Sequence, residues 1–382
     1  MIENTDAVIF AEQRSANGRK IGFATLNSEK SLNALTLDMI RLLDNRLREW
    51  AQDPELAVVV LQGAGEKAFC AGGDVRKLRT ALVEGGDTVP NPFATTYFTE
   101  EYCLDYLIHT YQKPILLWGS GIVMGGGLGL MAGASHRVVT ESSRIAMPEI
   151  TIGLYPDVGG SWFLNRMPGR VGLFLALTAA PLNAHDALVV NLADFFVCAE
   201  DKLALAARLT DVEWSEVAEE NHGKLSKLLR EFSARAEPLK PASPVRKHFD
   251  LIQQLTDGDT LAEVVEQILA HQHDDDWMKR AAKSLAAGSP TSAALSWAIA
   301  HRARHLSLAE AFQMELTLSV QCCAHPDFRE GVRALLIDKD NTPKWSPATL
   351  AEVSAEHVAA HFASPWSAEE HPLAGMACCC KA

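Results

Sequence analysis

Two carboxylates stand where they could share one cavity: Glu149, in Met147-Pro148-Glu149, and Asp157, in Pro156-Asp157-Val158-Gly159-Gly160. Gly153 and Pro156 between them let the chain fold back on itself. A carboxylate beside an activated carbonyl can attack it directly or take a proton from an attacking water. Asp157 could equally cap a helix starting at the glycines, and on residue types alone both readings stand. Upstream, Gly125, Gly126 and Gly127 follow the apolar run Ile115 to Trp118 and open a small-residue helix ending near Ala134. A strand feeding a glycine turn into a helix leaves first-turn N–H groups free, so the turn can hold an anion or a developing oxyanion. No Lys-Ser/Thr pair follows Gly127, and no strand-GxGxxG unit with a following acid occurs, so phosphate-loop and dinucleotide readings fail.

A second glycine turn, Lys67 to Asp74 (KAFCAGGD), follows the strand-like Ala57 to Gln62. Two such turns can each offer one N–H to the same oxygen. KAFCAGGD, MGGG and MPEITIGLYPDVGG, in this order and at this spacing, resemble the enoyl-CoA hydratase/isomerase (crotonase) superfamily. Together with EEY, QKP and the late EGVRALLIDKD, the string is most similar to its 3-hydroxyisobutyryl-CoA hydrolase branch, over nearly the whole chain.

The resemblance implies an oxyanion hole on the backbone N–H groups of Gly73 and Gly126, with Ala71 and Asp74 of the same turn beside the substrate. It also implies that Glu149 and Asp157 are the working acids. Glu101 in EEY, otherwise a solvated helix-surface acid, becomes a substrate contact. Lys30 lies in a segment that crotonases place against CoA, and it reads equally well as a solvated lysine or a phosphate contact. Crotonase hydratases add water to a double bond with two glutamates, one of them at the position occupied here by Gly129. Between Gly119 and Pro148 the only acid is Glu141, so a two-glutamate hydration site is incomplete. The implied activity is hydrolysis of the thioester of 3-hydroxyisobutyryl-CoA, or of a related 3-hydroxyacyl-CoA, in valine breakdown. CoA would be part of the substrate, with no metal or redox cofactor. An enoyl-CoA hydratase or isomerase with relocated acids, and a non-catalytic acyl-CoA-binding protein, are the alternatives.

These residues need rigid supports, and periodicity supplies candidates. Val8 to Glu12 and Ile21 to Leu26 read as strands joined through Asn17-Gly18, a hairpin signal. Leu37, Ile40, Leu43, Leu47 and Trp50 recur at helical spacing behind the N-cap candidate Thr36. Helices are further expected through Val75 to Leu82, Phe93 to Tyr111, Gly172 to Leu177 and Asn183 to Val190. Strand-turn-helix units thus repeat before position 200, which fits the α/β class with the ββα spiral the resemblance implies; periodicity alone does not separate that from a doubly wound sheet. From Asp201 the pattern turns helical, with a single helix expected over Val245 to Leu255 and Glu237 to Pro244 as the best internal break. The organisation expected is a spiral core over 1–200 carrying the site, then a helical region over 201–382 that covers it or mediates assembly.

Composition bounds the partners. With 48% hydrophobic and 22% charged residues the chain is that of a globular protein, and a formal net charge of -13, from 35 Lys plus Arg against 48 Asp plus Glu, argues against nucleic acid as a partner. No run of about 18 apolar residues suggests a membrane span. The acidic start, MIENTDAVIFAEQ, carries no targeting pattern, so a cytoplasmic location is expected, with reduced thiols at its 8 cysteines. His271, His273 and Asp274 to Asp276 look like a metal cluster, but their spacing on a helix end favours a solvated terminus. A homo-oligomer is compatible with the resemblance.

Overall fold

The hairpin opens the architecture. In the computed structural model, which describes residues 2–4, 7–86, 88–272 and 274–379, β1 (Ile2–Asn4), β2 (Val8–Arg14) and β3 (Lys20–Leu26) pair antiparallel. The strands then come in pairs, one long and one short. β4 (Leu56–Gly63) is followed by β5 (Ala68–Cys70), β6 (Ile115–Gly119) by β7 (Ile122–Met124), and β8 (His136–Val139) by β9 (Arg144–Ala146). The first of each pair joins a seven-stranded sheet, β1-β2-β3-β4-β6-β8-β10, closed by β10 (Phe195–Phe196), in which every pairing after β3 is parallel. The second of each joins a parallel three-stranded sheet, β5-β7-β9. Each pair is followed by helix, so the chain is a ββα spiral as the resemblance implied. The three-residue strands escape a reading by periodicity because one alternation cannot be told from a turn.

Helices α1 (Leu37–Gln52), α2 (Val75–Glu84), α3 (Pro92–His109), α4 (Gly126–Gly133), α5 (Gly160–Phe163), α6 (Val171–Thr178) and α7 (Ala184–Val189) complete the spiral. Thr36 caps α1 by accepting from Met39 N, and its buried stripe is Ile40, Leu43, Leu47 and Trp50. α3 differs: it is buried on nearly every side, and its buried residues include Glu101, Tyr102 and Asp105.

Beyond residue 200 run α8 (Lys202–Asp211), α9 (Ala218–Ala236), α10 (Pro244–Lys247), α11 (Phe249–Leu255), α12 (Leu261–Ala270), α13 (Asp276–Ala287), α14 (Pro290–Arg302), α15 (Leu308–Ala324), α16 (Pro326–Val332), α17 (Ala355–His361) and α18 (Met376–Cys379). The single helix expected over Val245 to Leu255 is two, broken at His248, whose φ of -105 and ψ of 13 leave the helical region. The proline-rich segment is docked rather than free: Asn183 Nδ2 donates to Ala242 O, and Ser243 Oγ to the buried Asp186. α15 packs on α3, and α16 packs on the turn Glu149–Ile152. The approach of α16 is close enough that a Cβ on Gly331 would sit 2.5 Å from Ile152 backbone.

Cys70, Cys103, Cys198, Cys322 and Cys323 are free thiols, and among the described residues no group of three or more His, Cys, Asp or Glu is placed to hold a metal. His273 lies outside the described residues, and Asp275 caps α13 while pairing with Lys247 at 2.6 Å. No described helix is long and apolar enough to cross a membrane.

Candidate active site

The three short strands end at one place. β5 delivers Ala71, Gly72 and Gly73; β7 delivers Gly125 and Gly126; β9 delivers, through Met147-Pro148, Glu149. Ligands of open parallel sheets gather at such carboxyl ends, and here a cavity of about 320 Å³ opens there. Its lining includes Ala71, Gly73, Glu101, Gly126, Glu149 and Asp157, so six of the eight residues singled out from the sequence converge. The other two do not reach it. Asp74 turns away to cap α2, accepting from Lys77 N at 3.1 Å, because its place before the first helical turn leaves its carboxylate facing unpaired amides. Lys30 is exposed on the short turn Glu29–Ser31.

The two glycine turns face each other. Gly125 takes φ 47 and Gly72 φ 111, conformations closed to most residues. A Cβ built on Gly126 would lie 3.4 Å from Gly73 N and 2.5 Å from Glu101 Oε1. Among the described residues neither the Gly73 nor the Gly126 N–H donates a hydrogen bond. Two unused donors on facing turns, one of them at the N-terminus of α4, can both donate to one negatively charged oxygen.

The acids are buried. Glu101 is 2% exposed, Glu149 and Asp157 4% each. Burial, and then the nearby Asp157 charge, push the Glu149 and Glu101 carboxyls well above the ordinary glutamate range. Glu149 Oε2 has no partner among the described residues. Asp157 is pushed by burial up to about 6, partly offset by the Tyr102 hydroxyl, which donates to its Oδ2 at 2.7 Å. Asp157 does not cap α5 with its side chain; Gly159 occupies that N-cap position and Asp157 gives only its backbone carbonyl, to Gly160 N. Val158, next to it, is a β-branched residue held at φ 52.

What holds that turn comes from residues the sequence reading passed over. Glu315, on α15, accepts from Gly159 N, Ser161 N and Ser161 Oγ at 2.8, 2.9 and 2.5 Å. Its carboxyl is nevertheless pushed up to about 8, since burial outweighs those three donors. Ser319, one turn on, lies 2.7 Å from the Tyr102 hydroxyl and 2.9 Å from that of Tyr155, which donates to Glu315 O. Asp105, one turn beyond Glu101 on α3, is fully buried with both oxygens unpartnered among the described residues. The available signal was an acid set among apolar neighbours on each of two helices, Asp105 in Leu104-Asp105-Tyr106-Leu107 and Glu315 in Met314-Glu315-Leu316.

Position 129 is closed. A Cβ on Gly129 would lie 2.6 Å from the Val158 Cβ and 2.9 Å from Asp105 Oδ2, so the volume a longer side chain would need is already filled.

Comparison with known proteins agrees with this geometry. The family model for enoyl-CoA hydratase/isomerase matches residues 21–362. A 3-hydroxyisobutyryl-CoA hydrolase, mitochondrial, of Danio rerio is 41% identical over 347 residues, 90% of this chain and 87% of that protein. Its Homo sapiens counterpart is 38% identical over 97% of this chain and 92% of its own. Two crystal structures superpose on 94% of the chain at 34% identity: an enoyl-CoA hydratase from Rhodobacter sphaeroides 2.4.1, with a TM-score of 0.79 and 98% of its own chain covered, and a carnitinyl-CoA dehydratase from Mycobacterium thermoresistibile, with 0.81 and 97%. The word mitochondrial in the names of these hydrolases overturns the cytoplasmic location expected from the N-terminal residues.

Proposed function

The chain belongs to the enoyl-CoA hydratase/isomerase family, and from that membership we infer that it is an acyl-CoA thioester hydrolase acting on 3-hydroxyisobutyryl-CoA or a close 3-hydroxyacyl relative. The observation that carries this reading is a pair of buried acids, Glu149 and Asp157, lining one cavity with the unused Gly73 and Gly126 amides while position 129 stays closed.

The thioester carbonyl oxygen accepts from the Gly73 and Gly126 N–H groups, which take up the charge that develops when the carbon is attacked. Each such donor is worth about 3 kcal/mol in a water-poor site. Glu149, fixed between β9 and α16, attacks the carbonyl carbon and forms a mixed anhydride that water then opens. Asp157, the least strongly raised of the lining acids, is a carboxylate near neutral pH and accepts the hydrogen of the substrate 3-hydroxyl. Carboxylates, amides and water suffice for these steps, so no cofactor is required. The nucleotide half of CoA lies outside so small a cavity, where exposed Lys30 is one cation able to pair with its phosphates. Valine breakdown is the pathway in which such a substrate arises.

Hydration of an enoyl-CoA is the second reading, favoured by the names of the two solved structures. It lacks its second acid: Val158 and Asp105 occupy the volume beside Gly129. Purified protein tested on a panel of acyl-CoAs separates the two. Thiol should be released from 3-hydroxyisobutyryl-CoA much faster than crotonyl-CoA loses its enoyl absorbance; rapid hydration without thiol release reverses the assignment.

A further inference from the structure

The lining of the cavity contains three carboxyl groups, Glu101, Glu149 and Asp157, and no lysine, arginine or histidine. Asp105 and Glu315 stand behind it, both fully buried. Like charges in a buried cluster without a counter-ion cannot all ionise, so the cluster retains protons. A thiolate expelled into this pocket meets the same obstacle. Alkyl thiols hold their proton up to about pH 8.5, and no cation lines the cavity to stabilise the sulfur anion.

A proton donor is therefore needed, and most of the lining hydroxyls are committed elsewhere. Tyr97 donates to Leu35 O at 2.8 Å and Thr151 to Pro148 O at 2.6 Å. Asp157 is already the acceptor of the Tyr102 hydroxyl. Glu101 remains. It makes no hydrogen bond among the described residues, and its Oε1 lies 2.5 Å from where a Cβ on Gly126 would be, beside the amide that faces the thioester oxygen. Burial, and next the Asp157 charge, disfavour a charge on Glu101.

We propose that Glu101 enters the reaction as a carboxylic acid and protonates the sulfur of the departing CoA. This inference rests on the hydrolase reading. As Glu149 bonds to the carbonyl carbon the C–S bond breaks, its electron pair goes to sulfur, and sulfur takes the Glu101 proton. CoA leaves as the thiol, with the mixed anhydride and a Glu101 carboxylate remaining. In the second step water gives one proton to Glu101 as its oxygen opens the anhydride. The acid product leaves as its carboxylate, one proton passes to solvent, and Glu101 is restored.

The test varies the leaving group at constant acyl group. The Glu101→Gln enzyme keeps the size of the side chain but cannot transfer a proton; its fold is checked by melting. With 3-hydroxyisobutyryl-CoA its kcat should fall about 100-fold or more, the usual range for a lost general acid. With the 4-nitrothiophenyl thioester of the same acid, whose thiolate needs no proton, the loss should be a few-fold only. Equal losses on both esters mean that Glu101 only binds, and no loss on the CoA ester means that it does neither; either result overturns the proposal. A solvent deuterium isotope effect on single-turnover thiol release from the CoA ester, present in the unaltered enzyme and absent in Glu101→Gln, reads the same step without the aryl ester. An unaltered enzyme that releases thiol from neither ester refutes the hydrolase reading instead.

Discussion

The hydroxyl of Tyr102 donates a 2.7 Å hydrogen bond to Oδ2 of Asp157, joining α3 to the turn that carries the second acid of the site. That bond favours the charged carboxylate, against the burial that pushes Asp157 up to about 6. It also occupies one oxygen, leaving Oδ1 to meet a substrate hydroxyl.

Removing it should separate substrates by their hydroxyl. Tyr102→Phe leaves Asp157 with burial but without its donor, so its pKa rises further, and the acidic limb of kcat/KM for a 3-hydroxyacyl-CoA moves to higher pH. A hydrogen bond to a charged group is worth about 1.5–3 kcal/mol, so the loss at pH 7 should be roughly tenfold or more. Isobutyryl-CoA, without the hydroxyl, should be nearly indifferent. Matching losses and unmoved pH profiles on both substrates would show that Tyr102 only packs.

Position 129 gives a second outcome. Placing a glutamate there does not restore a hydratase, because its Cβ would collide with the Val158 Cβ at 2.6 Å and its carboxylate would join Asp105. Gly129→Glu should lower stability by about 1–3 kcal/mol, as overpacking does, and should add no crotonyl-CoA hydration. A soluble variant that hydrates crotonyl-CoA efficiently would mean the site had room after all.

Asp105 should impose a pH dependence on stability. Burial, and next the Glu101 charge, raise its folded-state pKa well above 3.8. A raised acid binds its proton more tightly when folded, so its stabilising contribution is complete below about pH 4 and is lost as pH climbs through the folded value, by up to about 1.4 kcal/mol per pH unit. Asparagine cannot ionise and, with both Asp105 oxygens unpartnered, sacrifices no described hydrogen bond. The Tm of Asp105→Asn should therefore gain on that of the unaltered protein between pH 5 and pH 8. A gap independent of pH would show that the folded protein does not hold Asp105 protonated in that window.

The legibility of the site followed the strength of local signals. Gly73, Gly126, Glu149 and Asp157 were readable because glycine turns after strands and acids among glycines and prolines are conspicuous in the chain itself. The motifs in their order then identified the spiral, which periodicity could not distinguish from a doubly wound sheet. Asp74 was ambiguous because an acid before a helix is a good cap and a plausible contact alike; in the structure its side chain accepts from Lys77 N at 3.1 Å and caps α2. Tyr102, Asp105, Glu315 and Ser319 were not readable as site residues, since what makes them so is contact between separate elements of the fold. The pairing of Tyr102 with Ser319 is one such contact.

The last outcome concerns how Glu149 acts. Its carboxyl is raised by burial and by the Asp157 charge, so protonation competes with the attacking form and kcat should increase as pH rises through that raised value. Under either route Glu149→Gln should be nearly inactive, so the substitution alone does not choose between them. Labelled water does. If Glu149 attacks the thioester and water opens the anhydride at the enzyme's own carbonyl, the first turnover in ¹⁸O-water gives an unlabelled product acid and places the label in Glu149. Repeated turnovers then pass label to product. Glu149 Oε2 has no described partner, so one oxygen is free for attack without breaking a bond. Mass analysis of the peptide containing Glu149 after single turnover should find the added ¹⁸O. Label confined to the product acid after many turnovers, together with no hydroxylamine trapping of an acyl-enzyme, would show that Glu149 deprotonates the attacking water instead.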